Sequence, residues 1–144
     1  MIDKFIQTLC CILKIPKPVI SYDTSIFPSV QVKAMYIHNK NTIYLAQFEK
    51  PDFEILFSIT HELRHAWQFQ NNPIFYFGNY HGLNECSNLD EYNNQAAEID
   101  ANAFGELILN SFFHVSPQYY SLSEYSRQQI HKRAKEIMIS LTQK

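Results

Sequence analysis

The segment SITHELRHAWQF, residues 58–69, restricts the possible folds of this chain more than any other stretch. On a helix, His61 and His65 are i and i+4, so their rings leave the same face. Leu56, Ile59, Leu63 and Trp67 leave roughly the opposite face, while Ser58 and Gln68 accompany the histidines. Such a helix buries its back in a core and presents its front to a cleft. Phe57 and Phe69 flank the polar front and cover part of it. The fold must therefore supply one layer behind this helix and a second element facing the histidines.

The pattern H-E-x-x-H has a mechanical reason at each fixed position. Two imidazoles one turn apart can grip a single zinc ion. Glu62 then lies to the side of the metal, where it can take a proton from a water. A catalytic zinc needs a third protein ligand and an open position. The segment NQAAEIDANAFGELIL, residues 94–109, offers Glu98, 33 residues beyond His65. On a helix, Glu98 shares a face with Asn94, Asn102 and Gly105, with Ala97 and Ala101 beside it. Small residues there let two helices approach closely enough for a short Glu side chain to reach the metal. Asp100 points to nearly the opposite side, so Glu98 is the expected ligand.

The rest of the chain frames these two helices. Residues 2–13 carry Phe5, Leu9 and Ile12 at helical spacing, and Pro16 and Pro18 follow. Residues 30–46 alternate and then turn at HNKN, which predicts a β-hairpin. Pro51 and Asp52 open the motif helix, which runs to about residue 70. Residues 73–91 lack a clear period and are expected to form a long loop of functional type. The second motif helix spans about 92–112. A last helix starts near Ser121, with Glu124 completing a capping box. Arg64 is expected to be a solvated or salt-bridged charge and Trp67 a core residue. His38 and His131 are expected at the surface.

The bulk properties exclude several classes. The chain has 144 residues and 46% hydrophobic content, including eleven Phe and nine Tyr. That suits one domain, 1–144, with a real core. A net charge of −2 without a basic stripe argues against a nucleic-acid partner. No apolar run is long enough to span a bilayer, and no secretory leader is recognisable at the N-terminus. Cys10, Cys11 and Cys86 are an odd set with an adjacent pair, which suits a reducing, cytoplasmic setting rather than a disulfide framework.

HELRHAWQ followed by AEIDANAF resembles the small gluzincin-type zinc metallopeptidases. The pair looks closest to metallopeptidases of phages and bacterial mobile elements, and more distantly to the ImmA/IrrE-like family. The resemblance implies that His61, His65 and Glu98 ligate Zn2+ and that Glu62 is the general base or acid. Ala101 and Phe104 match the Ala and Phe of the second motif. The chain departs from the ImmA/IrrE-like pattern at Arg64, where Gly is usual, and at Gly105, where Ala is favoured. Larger gluzincins carry an Asp four residues after the ligand Glu, bonded to the first ligand His. Asn102 stands at that position and can still accept an imidazole N–H, without charge.

The expected architecture is α+β, a minimal zincin-like fold. A short β-hairpin packs on the H-E-x-x-H helix, joined by a ligand helix and by N- and C-terminal helices. The expected function is zinc-dependent hydrolysis of a peptide or protein substrate. The alternative is a non-catalytic zincin-like module for metal binding, regulation or interaction, which would have no use for an intact Glu62. Hydrolysis also needs an oxyanion donor besides the metal. His81 in the long loop is the first candidate, with Tyr80, Tyr92 and His114 as alternatives. Residues 42–46 are the expected strand edge for an extended substrate, with simple core packing of Ile43 and Leu45 as the other reading.

Overall fold

Helix α1 (Ile2–Leu13) forms where the apolar spacing predicts it, in a computed structural model that describes residues 1–143. It buries Ile6, Leu9, Cys10 and Leu13. Lys14 closes it in the left-handed region at φ 55°, and the N–H of Ile15 returns to the carbonyl of Cys10. After the prolines the chain forms strand β1 (Val19–Ser21), which the sequence reading did not anticipate. Three residues are too few to show an alternation.

The hairpin is real but shorter than residues 30–46. Strands β2 (Ala34–Ile37) and β3 (Thr42–Leu45) pair antiparallel, joined by a 3-10 turn at His38–Lys40. Asn41 leaves that turn at φ 43°, a conformation Asn tolerates. Val30 is 95% exposed, so the alternation across 30–33 does not correspond to a strand. The sheet order is β1-β3-β2, with β1 parallel to β3. Residues 42–45 are thus the central strand, not the expected edge. Their partners on both sides account for Ile43 and Leu45 being buried. The free edge next to the hairpin belongs to β2.

Helix α2 (Phe53–Asn71) carries the first motif, and the Asp52 carboxylate caps it by accepting from the N–H of Ile55. The stretch 73–91 is not a plain loop. Pro73 begins α3 (Pro73–Asn79), capped by Asn72, and α4 (Leu89–Asn93) is capped by Asn88. Here Pro acts as a first-turn residue rather than a stop. The second motif lies on α5 (Ala96–Phe113), which starts four residues later than expected because α4 ends at Asn93. Helix α6 (Glu124–Thr142) is capped by Ser123 through the N–H of Ser126, not by Ser121.

The molecule is therefore α+β: among the described residues, six α-helices and a three-stranded mixed sheet. Helix α2 packs against α1, β2 and α5, and α6 packs against α5. One core runs through these elements. It includes Ile6 and Leu9 of α1, Ile43 and Leu45 of β3, Ile59 and Leu63 of α2, Phe104 of α5, and Ile130 and Ile137 of α6. Burying side chains of this size stabilises by about 1.5–3 kcal/mol each. The result is a rigid α2–α5 pair on which a site can be built. No helix among the described residues is long and apolar enough to cross a membrane.

Candidate metal centre

Helices α2 and α5 are in close contact: Gln68 bonds the Ala97 carbonyl, and Phe57 fills the space that a side chain at Gly105 would take. Across that contact three ligand-type groups converge. His61 Nε2 lies 3.1 Å from Glu98 Oε2, and His65 Nε2 lies 3.2 Å from Glu98 Oε1. The two imidazole Nε2 atoms are 3.1 Å apart. His65 and Glu98 are buried and His61 nearly so, its side chain 14% exposed. Unprotonated imidazole lone pairs at that distance repel each other, and the carboxylate adds negative charge. The arrangement calls for a positive centre, either a proton or a metal ion. His61, His65 and Glu98 could hold a metal ion.

Electrostatics follow from the same crowding. Burial raises the Glu98 carboxyl, but the His61 and His65 rings outweigh it and hold Glu98 far below the ordinary carboxylate range. Burial opposes a charged His65, yet Glu98 beside it, with Glu62 and Gln68, lifts that imidazole to about 9. Each of the two histidines also has a partner for its other nitrogen. His61 Nδ1 sits 2.7 Å from Asn102 Oδ1, as the sequence suggested for Asn102. His65 Nδ1 sits 2.8 Å from Gln68 Oε1. Gln68 was read only as a member of the polar face. Its position three residues after His65 on one helix was the available signal.

Glu62 leaves α2 beside the ligands, and its Oε2 accepts from the backbone N–H of Tyr36 at 2.8 Å. Burial raises its pKa, against the lowering effect of the two histidines. The sheet edge explains the contact. Ala46 N–H donates to Lys33 C=O at 2.8 Å, so Lys33, Met35 and Ile37 bond to β3. In an antiparallel ladder the alternate residues, Ala34 and Tyr36, turn their polar groups to the free side. Glu62 takes one of these groups.

Of the loop candidates, the tyrosines reach the cluster and His81 does not. The Tyr92 hydroxyl donates to Glu98 Oε1 at 3.0 Å. Tyr80 stands with its ring 5.2 Å from that of His65, and its hydroxyl lies 3.5 Å from that of Tyr92. Burial pushes Tyr80 up to about 12, and burial with Glu98 pushes Tyr92 higher still, so both remain protonated donors at neutral pH. His81 is exposed; its ring faces Glu85 at 3.3 Å and its backbone N–H meets Gln95. His114 caps the far end of α5 at φ 54°.

The remaining expectations divide. His131 is exposed and pairs with Glu106 at 2.7 Å. His38 is not a surface residue: it is half-buried against Phe69, Tyr76 and Phe77, with ring centroids 5.1–5.8 Å away. Helix α3 folds back onto the hairpin turn and encloses it. Arg64 is buried and salt-bridged, Nε to Asp100 Oδ2 at 2.7 Å and Nη2 to Oδ1 at 3.1 Å. Its guanidinium lies over Trp67, which packs at the margin of the core. Gly105 is where Phe57 presses on α5. A Cβ there would meet the Phe57 ring at 2.6 Å.

Compared with known proteins, the chain matches no protein-family model, no curated protein and no solved structure.

Proposed function

We propose that this protein is a zinc-dependent peptidase with a minimal zincin-like site, His61, His65 and Glu98 being the ligands and Glu62 the proton carrier. One observation carries the reading: His61 Nε2 and His65 Nε2 lie 3.1 Å apart, and each lies 3.1–3.2 Å from an oxygen of the Glu98 carboxylate, Oε2 and Oε1 respectively. Tetrahedral zinc with bonds of about 2.0–2.1 Å spaces its ligand atoms by about 3.3 Å, so the cluster fits with little rearrangement. When bound, zinc supplies Lewis acidity, acidifying a water and polarising a carbonyl.

The chain's own groups supply the remainder. Glu62, with its raised pKa, accepts the proton of the attacking water and returns it to the leaving amine. Of the two tyrosines on the Glu98 side of the cluster, Tyr92 gives its one hydroxyl hydrogen to Glu98, which leaves the Tyr80 hydroxyl as the neutral donor for developing negative charge. The free edge of β2 runs past Glu62. An extended peptide can pair there with the unbonded groups of Ala34 and the carbonyl of Tyr36. That places a scissile bond beside the base without any large conformational change.

The test pairs metal analysis with peptide hydrolysis. Wild-type protein should bind one zinc per chain and generate new amino termini from a mixed peptide library. Glu62→Gln should bind zinc equally and generate none. Zinc binding without hydrolysis by the wild type would identify a non-catalytic metal-binding module instead. Absence of stoichiometric zinc would overturn the reading altogether.

A further inference from the structure

Gln68 is fully buried, and both N–H donors and the oxygen of its amide are engaged. Its Nε2 donates to Ala97 C=O at 2.9 Å and to Asp100 Oδ2 at 2.8 Å. Both partners are acceptors only: a backbone carbonyl and a carboxylate. Both Asp100 oxygens also accept from guanidinium N–H groups, Oδ2 from Arg64 Nε and Oδ1 from Arg64 Nη2 and Arg133 Nε, so neither is a donor toward Gln68. The amide of Gln68 therefore has one orientation, with Oε1 turned to His65 Nδ1 at 2.8 Å. An amide oxygen can only accept, so His65 Nδ1 must carry hydrogen. The lone pair of the neutral ring is then on Nε2, the atom that faces Glu98 and His61.

We propose that Gln68 and Asp100 lock the tautomer of His65, so that Asp100, which touches no ligand, acts through Gln68 as a positioning residue for the metal. The proposal rests on the zinc-site reading above. The lock spans three helices. Gln68 and Arg64 lie on α2, Asp100 on α5 and Arg133 on α6, with Arg133 Nε on Asp100 Oδ1 at 2.8 Å. Arg64 and Arg133 hold the carboxylate; the carboxylate holds the amide; the amide holds the ring. His61 has a single amide contact, Asn102, with no comparable second anchor among the bonds of that side chain.

The experiment measures zinc affinity by competition with a chromogenic chelator, together with 15N-correlated imidazole spectra of the zinc-loaded protein. Gln68→Met fills the same space without polar groups and should weaken zinc by about 10- to 100-fold, the range for losing a ligand's outer partner. Asp100→Asn presents a donor to the Gln68 amide, and should weaken zinc about as much. Arg133→Gln removes one of the two anchors of the carboxylate and should weaken zinc less than Asp100→Asn does. In the wild type, the His65 spectrum should show hydrogen on Nδ1 and the metal on Nε2. Wild-type affinity in folded Gln68→Met would overturn the lock while leaving the zinc site standing. Failure of the wild type to bind zinc would overturn the underlying reading, and the lock with it.

Discussion

The Glu62 carboxylate accepts the backbone N–H of Tyr36, a bond of 2.8 Å joining the middle of α2 to the free edge of β2. It fixes the acid's direction before any substrate arrives. It also leaves the second carboxylate oxygen for chemistry.

Glu62→Gln keeps an acceptor for Tyr36 N–H, so the fold and zinc affinity should survive. Loss of the proton carrier should lower kcat by about 10²- to 10⁴-fold. In the wild type, activity requires ionised Glu62. Activity should therefore rise with pH along an acidic limb as Glu62 ionises; burial raises that carboxyl in the metal-free protein, and a bound cation would lower it again. A pH–rate profile with no acidic limb would contradict this assignment.

Zinc binding should release a proton from His65. In the metal-free protein that ring titrates near 9, raised from 6.5 by the neighbouring carboxylates despite its burial. Metal ligation needs the neutral ring. Zinc affinity should therefore increase with pH up to about 9 and level off above it. The sign for folding is opposite. Stability that the metal-free protein draws from charged His65 is complete below 6.5 and is lost as pH rises through about 9. Chelator-treated protein should melt at lower temperature at pH 9.5 than at pH 6, and this difference should shrink when zinc is present.

The Arg64–Asp100 pair should be a major stability element. Arg64→Met keeps the stem over Trp67 but leaves Asp100 short of its bidentate partner. Loss of one member of a buried pair costs about 3–5 kcal/mol. Arg64→Lys should recover only part, since an ammonium lacks the planar fork. Asp100 has a lowered folded pKa, so its contribution is present above its unfolded value near 3.8 and is lost as pH falls through the folded value below it. Urea titrations of wild type and Arg64→Met at pH 7 and at acid pH should converge at the acid end.

Gly105→Ala should reverse sign with its neighbour. In the wild type the added methyl meets Phe57 at 2.6 Å and should destabilise by about 1–3 kcal/mol through overpacking. In a Phe57→Ala background the same change should stabilise by up to about 1 kcal/mol, since Ala is the better helix former. A double-mutant cycle by chemical denaturation measures both. Equal effects in the two backgrounds would show that the Phe57 ring simply swings away.

Much of the site was legible because its signals are local. His61, Glu62 and His65 occupy one helical turn, and Gln68 lies within the next. Periodicity on one helix is enough to put such residues together. Glu98 could be nominated for a similar reason, since its neighbours Ala97, Ala101 and Gly105 are small on their own helix. The helices around 2–13 and 53–71 were likewise marked by apolar spacing and by Asp52, interactions that reach no further than four residues.

The features that only the tertiary structure decided all depend on partners distant in the chain. Strand β1 is three residues long and exists because β3 offers it hydrogen bonds. The identity of the free edge followed from that pairing and moved from residues 42–46 to Ala34–Ile37. Tyr92, rather than His81, meets Glu98 because α4 turns the former inward, while the latter faces Glu85. The sequence leaves Arg64 either solvated or salt-bridged; Asp100, 36 residues on, meets it in the interior. Local spacing determines which face a side chain takes on its own element. What stands opposite that face is set by the packing of α5 against α2 and α6, where burial and paired charge outweigh local preference.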